Sequence, residues 1–276
     1  MSGKKIYTIS GKKDGIRVSS RILEEALQQA VERGERQIEV EAFGQHGIGG
    51  RLWKAGDDQI YIKIIGPAGQ RVGAMGFPNT FIEVMAPASD DVGWLNAGAH
   101  IVVHGHAGNG LANAMAQGKV YVAGNIGARG MTMTKSNPRF APPEVWVLGS
   151  AGDYFGEFMA GGISVICGID AQTPDNVLGY RPLVGMVGGK VFFRGPHKGY
   201  STADAKLVPI TDDDWQWLKK NMAAYLKQIK QTRLKEQLTV RDEWQLLAAR
   251  PPQEKGKSAQ RSMASFRTDV WDKELG

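Results

Sequence analysis

The chain has 276 residues, of which 42% are hydrophobic and 22% charged, with a formal net charge of +6 and a single cysteine, Cys167. One thiol excludes an internal disulfide and any site built from two or more thiolates of this chain, so neither an iron–sulfur cluster nor a Cys-rich zinc site can be assembled from it. No apolar run approaches the roughly 18 residues of a membrane span, and Met1-Ser2-Gly3-Lys4-Lys5 leads into polar sequence without a signal core, which reads as a soluble, cytoplasmic protein.

In chain order, Ser19 or Ser20 precedes an amphipathic stripe, Ile22, Leu23, Ala26, Leu27, Ala30 and Val31, that stops at Gly34: a helix with a polar N-cap and a glycine end. Gln37 to Phe43 alternates like an entering strand. Residues 1–43 are therefore expected to form an N-terminal α/β cap.

From 44 to 200 the chain changes character. Thirty of its 36 glycines lie between Gly44 and Gly199, and they fall in a repeated phrase. Gly105-His-Ala-Gly108-Asn-Gly-Leu111-Ala112-Asn-Ala-Met115 is answered by Gly149-Ser-Ala-Gly152-Asp-Tyr-Phe155-Gly156-Glu-Phe-Met159. Each β-type run closes on an anchor position, held by Gly66, Ala86, Gly105, Gly124, Gly149, Gly168 and Gly195, at steps of 20, 19, 19, 25, 19 and 27 residues. Four residues before the anchors stand Ile62, Ile82, Ile101, Val120, Val145, Ser164 and Val191. Two before stand Ile64, Val84, Val103, Val122, Val147, Ile166 and Phe193. These alternate with Lys63, Glu83, Val102, Tyr121, Trp146, Val165 and Phe192, so the first two columns are expected to face inward and the third outward.

A period near nineteen is too short for a βαβ unit and suits a solenoid in which no coil buries its own apolar face. The expected fold is mainly β: a single-stranded, right-handed parallel β-helix of about seven coils. The Met or Leu nine or ten residues after each anchor (Met75, Leu95, Met115, Met133, Met159) is expected to fill the lumen. Two interruptions, 135–143 with Lys135, Pro138, Arg139, Phe140, Pro142 and Pro143, and 169–182 with Asp170, Pro174, Asp175 and Arg181, are loops the coil does not need.

Residues 201–232 should hold a C-terminal helix. Thr211 caps it, Asp212, Asp213 and Asp214 suit its first turn, and Trp215, Leu218, Met222, Leu226 and Ile229 form one face. Residues 233–276 are too polar for a core of their own. They are expected to form an extended arm that orders along a partner protein through Trp244, Phe266 and Trp271.

Residues that could carry chemistry are few. His100, His104 and His106 are spaced H-x3-H-x-H, but His100 and His104 lie about 13 Å apart along one strand, too far to share a metal. Gly108-x-Gly110 and Gly47-x-Gly49-Gly50 lack the strand-and-helix context of a nucleotide loop. Cys167 has no histidine at a triad-like spacing. The basic excess forms no stripe that would favour nucleic acid. No catalytic, cofactor-binding or metal-binding residue is assigned.

The repeat G-x-x-G-x-x-h-G-x-x-M-x-x-G-x-h-x-h-x-G, clearest in 105–124 and 149–168, resembles the glycine-rich GXGXG β-helix domain at the C-terminal end of the large subunit of glutamate synthase. That domain also occurs as a stand-alone chain, and as one of the subunits of formylmethanofuran dehydrogenase and of the related formyltransferase/hydrolase complex. The resemblance covers roughly 44–200. It implies a non-catalytic scaffold subunit of a glutamate-synthase-type oxidoreductase, with FMN and iron–sulfur clusters on a synthase-type partner chain and possibly a separate amidotransferase subunit. The formylmethanofuran-type subunit is one alternative. A free-standing carbohydrate-active β-helix is another, to which the outward columns contribute only the carboxylates Glu83 and Glu144.

Overall fold

A computed structural model describes residues 6–255. Eleven strands form one sheet. Strand β1 (Tyr7–Ser10) leads into a short antiparallel hairpin, β2 (Lys12–Lys13) and β3 (Ile16–Arg17), and then helix α1 (Ser20–Glu32). The parallel ladder continues through β4 (Gln37–Glu41), β5 (Ile60–Ile65), β6 (Thr80–Val84), β7 (Ala97–Val103), β8 (Gln117–Val122), β9 (Glu144–Val147), β10 (Ala160–Ile166) and β11 (Gly188–Arg194). Each of these strands pairs in parallel with the next, as a solenoid requires. The seven strands of the repeat, β5 to β11, enclose six turns, and a further turn precedes them because β4 pairs in full register with β5. The Gln37–Glu41 strand is thus part of the solenoid ladder.

The register follows the columns. Ile62 pairs with Ile82, Ile82 with Ile101, Ile101 with Val120, and Val120 with Val145. Both inward columns are buried throughout. Burying one such side chain contributes about 1.5–3 kcal/mol, and no single coil could do it alone. The exception in chemistry is Ser164, whose hydroxyl is buried in the lumen without a hydrogen-bond partner.

The return half of each coil has an unusual backbone. Left-handed φ recurs at the fifth, seventh and ninth residues after the anchor: Arg71, Gly73 and Met75; Asp91, Gly93 and Leu95; Gly110, Ala112 and Ala114; Arg129, Met131 and Met133; Tyr154, Gly156 and Phe158. A non-glycine residue there costs on the order of 1–2 kcal/mol. Hydrogen bonds between coils offset it, because these N–H groups point alternately to the next coil and the previous one. Arg71 N–H donates to Asp90 O (2.9 Å), Gly73 N–H to Ile48 O (2.9 Å) and Met75 N–H to Trp94 O (2.8 Å). Glycine relieves the backbone strain at Gly73, where a Cβ would also press on the tip of the Ile101 side chain in the neighbouring coil, whereas Ala112 holds the same place two coils on.

That backbone corrects the lumen assignment. Met115 and Met159, ten residues after their anchors, are fully buried. Met75, Leu95 and Met133, nine residues after theirs, are not: Leu95 is 36% exposed and Met133 48%. One residue of offset within the left-handed stretch turns the side chain from lumen to solvent.

The ends are closed differently. Helix α1, N-capped by Ser19 and with Gly34 at positive φ beyond its C-cap, adds Leu23, Leu27, Ala30 and Val31 to the lumen core next to β1 and the first coil. At the far end β13 (Trp244–Ala249) pairs antiparallel with β11, and β12 (Ala205–Val208) pairs with β13. This overturns the expectation of an extended arm for its first part. Trp244 is buried in the chain's own core, its indole N–H donating to Leu238 O at 3.1 Å. The physical reason is the open edge of β11, which a nearby strand satisfies more cheaply than a partner would. Phe266 and Trp271 lie outside the described residues. No helix among the described residues is long and apolar enough to cross a membrane.

Helix α2 (Asp212–Gln228) is capped by Thr211 as expected, the cap being a reciprocal box with Asp214, and it lies on the outer face of the sheet. It runs across the coils: Lys190 of β11 pairs with Asp214 (2.6 Å), Tyr225 donates to Val122 O of β8 (2.7 Å), and Lys230 just past the helix meets Glu83 of β6 (3.4 Å). Seventeen residues span about 25 Å, which matches about five coil spacings of ~4.8 Å. Helix α2 therefore explains why the outward column turns apolar at Val102, Tyr121, Trp146, Val165 and Phe192, all buried beneath it.

Two substitutions test this packing. Ser164→Ala should stabilise the chain by about 1 kcal/mol by removing an unpaired buried hydroxyl. Gly149→Ala should destabilise it by about 2 kcal/mol, since the new Cβ would collide with the Asn125 side chain. Urea denaturation midpoints report both.

Candidate functional site

The histidines do not converge. His100 sits on the outer face in a ladder of rings that runs from coil to coil: Tyr61 to Phe81 (5.7 Å), Phe81 to His100 (5.0 Å), His100 to Tyr121 (4.8 Å) and Tyr121 to Trp146 (6.1 Å). His104 bonds Glu83 through Nε2 (2.6 Å), and His106 Nδ1 accepts the Asn125 N–H of the next coil (2.9 Å). His46 does the same for Gln70 N–H (2.9 Å). These imidazoles join coils. Among the described residues no group of three His, Cys, Asp or Glu side chains is placed to hold a metal ion.

Burial, reinforced by the charge of Lys119 and opposed only weakly by the nearby Gln228 amide, pushes His100 down to about 4. Glu83 is raised by burial, but the His104 hydrogen bond and Lys230 outweigh this and hold its carboxyl below the usual range. Glu144 is buried, bonded to the Trp146 indole (3.1 Å) and to Lys119 (3.0 Å). The two outward carboxylates are thus engaged in structural pairs. Cys167 is buried, and burial pushes its thiol up, with Arg194 opposing only in part, which disfavours the reactive thiolate.

The glycine pairs that resemble nucleotide loops are solenoid backbone. Gly47, Gly49 and Gly110 hold left-handed positions of their coils, and Gly108 N–H donates to Ala88 O (3.1 Å). The 169–182 loop is folded onto the body. Asn125 Oδ1 accepts the Ser150 N–H (2.7 Å), the Ser150 hydroxyl (2.9 Å) and the Gln172 N–H (2.9 Å), and Val177 and Leu178 are buried. A groove of about 260 Å³ lies beside it, lined by Ile126, Gly127, Ser150, Gly152, Gln172 and Thr173 among others. The Asn125 oxygen that holds the loop is already bonded within the chain. The 135–143 loop leaves the coil directly after the Met133 turn and exposes Phe140.

What remains as candidate surface is apolar and unclaimed. The ninth-position column, Met75, Leu95, Ala114, Met133 and Phe158, makes a stripe along the return face, with Phe158 56% exposed. Beside it lie Arg71 over the Trp94 ring (5.0 Å) and Arg129 and Arg181 over Tyr154 (5.3 and 6.0 Å). The repeat names every stripe residue except Ala114 and Phe158, but their exposure is hidden in sequence because it depends on left-handed backbone. A smaller open patch, Tyr61 and Phe81 with Glu39, Lys63 and Glu83, lines the part of the outer sheet beyond the end of α2.

The chain is thus a parallel β-solenoid with two engaged outward carboxylates, a buried thiol and an apolar stripe on its return face. The chain matches the model of the GXGXG motif family over residues 25–249, and it belongs to that family. No curated protein matches it.

The ladder histidine makes a pH prediction. His100 is neutral in the fold, its pKa pushed down to about 4, and it titrates near 6.5 when unfolded. Its contribution is therefore fully present above about pH 6.5 and is lost as pH falls toward 4, about 3 kcal/mol in all. His100→Phe keeps the ring and removes the titration. The stability difference between variant and wild type should shift in the variant's favour over that window and stay constant above it, as followed by denaturation midpoints against pH.

Proposed function

We propose that this chain is a non-catalytic scaffold subunit of a multi-subunit oxidoreductase of glutamate synthase type. It would hold a synthase-type chain that carries FMN and iron–sulfur clusters, together with any amidotransferase subunit. The observation that carries the reading is the family match over 25–249 in a chain whose one thiol is buried. A family domain of an iron–sulfur flavoenzyme that cannot ligate a cluster contributes shape and surface, and the cofactors belong to its partners. The exposed apolar stripe supports the same reading, since lone monomers rarely leave such contiguous surface bare.

Native purification of the tagged chain from its source tests this. The expected result is an assembly with flavin absorbance and bound iron on chains other than this one. Recovery of the 30.0 kDa chain alone would sink the proposal. A molybdenum or tungsten content without flavin would instead favour the formylmethanofuran-type assembly.

A further inference from the structure

Past the solenoid the chain turns back on itself to fill a sheet edge. Strand β13 takes the open edge of β11, and β12 then becomes the last strand of the sheet, paired with β13 alone among the described residues. The register says which groups its far edge presents. Arg250 N–H donates to Asp204 O (2.7 Å), so Lys206 and Val208, two and four residues on, also face β13. Ala205 and Leu207 turn the other way. The Ala205 N–H is taken by Ser201 O (2.9 Å), whereas no strand among the described residues takes the N–H and C=O of Leu207. The Leu207 side chain is 45% exposed, and a groove of about 340 Å³ runs beside it, lined by Val208, Pro209, Ile210, Trp244 and Leu246 among others. An unpaired edge flanked by apolar surface is a template for one more strand.

The chain delivers its own candidate to that edge. After β13, residues 250–255 are fastened to the start of β12: the Arg250 guanidinium to Thr202 O (2.7 Å), Glu254 to Lys206 (2.7 Å) and Lys255 to Asp204 (3.2 Å). The described residues stop there, and 256–276 continue from that point. We propose that the segment 265–271 adds to the open edge of β12 as a further strand of the same sheet. Its sequence suits the role, since Phe266, Thr268 and Val270 alternate with the polar Arg267 and Asp269, a period of two in strand-favouring residues. The reach is sufficient. The intervening 256–264 spans ~30 Å when extended, against ~13 Å for the four residues of β12, so the strand can lie along β12 in either direction. Phe266 and Val270 then cover Leu207 on the face that it shares with Leu247, and Trp271 falls on the opposite face, toward the groove beside Trp244 and Leu246. No partner is needed, and the inference is independent of the scaffold reading.

Hydrogen exchange on the purified full-length chain tests this. The Leu207 amide should exchange at least a hundredfold more slowly than an unprotected amide. A paired Thr268→Pro, Asp269→Pro variant breaks the added ladder whichever of the two residues faces β12. It should cut the Leu207 protection at least tenfold, while Ser258→Pro in the linker leaves it unchanged and the amides of β8 to β10 stay as slow as in wild type. Photo-crosslinking identifies the chain that supplies the strand. Benzoylphenylalanine in place of Phe266, irradiated in an equal mixture of isotopically light and heavy chains, should cross-link to residues 205–210 within one chain. A Leu207 amide as fast as an unprotected one, protection that survives the paired proline variant, cross-links between light and heavy chains, or cross-links to another part of the molecule would overturn the inference. None of these results bears on the scaffold reading.

Discussion

Every coil of this protein places its backbone hydrogen bonds in the coils on either side, and the rest of the structure depends on that. The parallel pairing of β4 to β11 fixes one repeat position over the same position in the next coil, so each choice of residue is made in columns. Side chains reinforce the same register. Asp90 Oδ1 accepts Asn109 N–H, Asn109 Oδ1 accepts Ala128 N–H, and His106 takes Asn125 N–H, each at 2.8–2.9 Å. A column that is apolar outside as well as inside is then a seat for something. On the sheet face that something is α2. On the return face no helix lies over the column among the described residues.

Stacking also explains why strained backbone is retained. Left-handed φ at Met75, Leu95, Met133 and Phe158 would be costly in an isolated loop. Here the neighbouring coils fix it, and its effect is to turn large apolar side chains outward. The lumen has no need of them, since the residues after them, Gly76, Asn96, Thr134 and Met159, take that place.

Most of the fold was legible. The strand columns, the anchors and both helices follow from periodicity and capping residues, because alternation and N-cap chemistry act locally. Three things were not. The lumen-facing and solvent-facing methionines differ by one residue, and only the backbone conformation tells Met133 from Met115. The strand at Trp244–Ala249 owes its existence to the unpaired edge of β11, distant in sequence. The role of the outward column depended on where α2 would lie, and nothing in Val102 or Trp146 alone specifies a helix above it. The candidate surface was illegible for the first of these reasons, since its residues read as core.

Methionine oxidation followed by peptide mass spectrometry tests the central claim most directly, since the claim is that one stripe faces outward and is covered in the assembly. Met133 in the isolated chain should oxidise fast while Met115, Met159 and Met186 stay protected, and Met133 should become protected in the native assembly. Protection of Met133 in the isolated chain would contradict the register, and equal oxidation of Met133 in both states would contradict its being covered in an assembly.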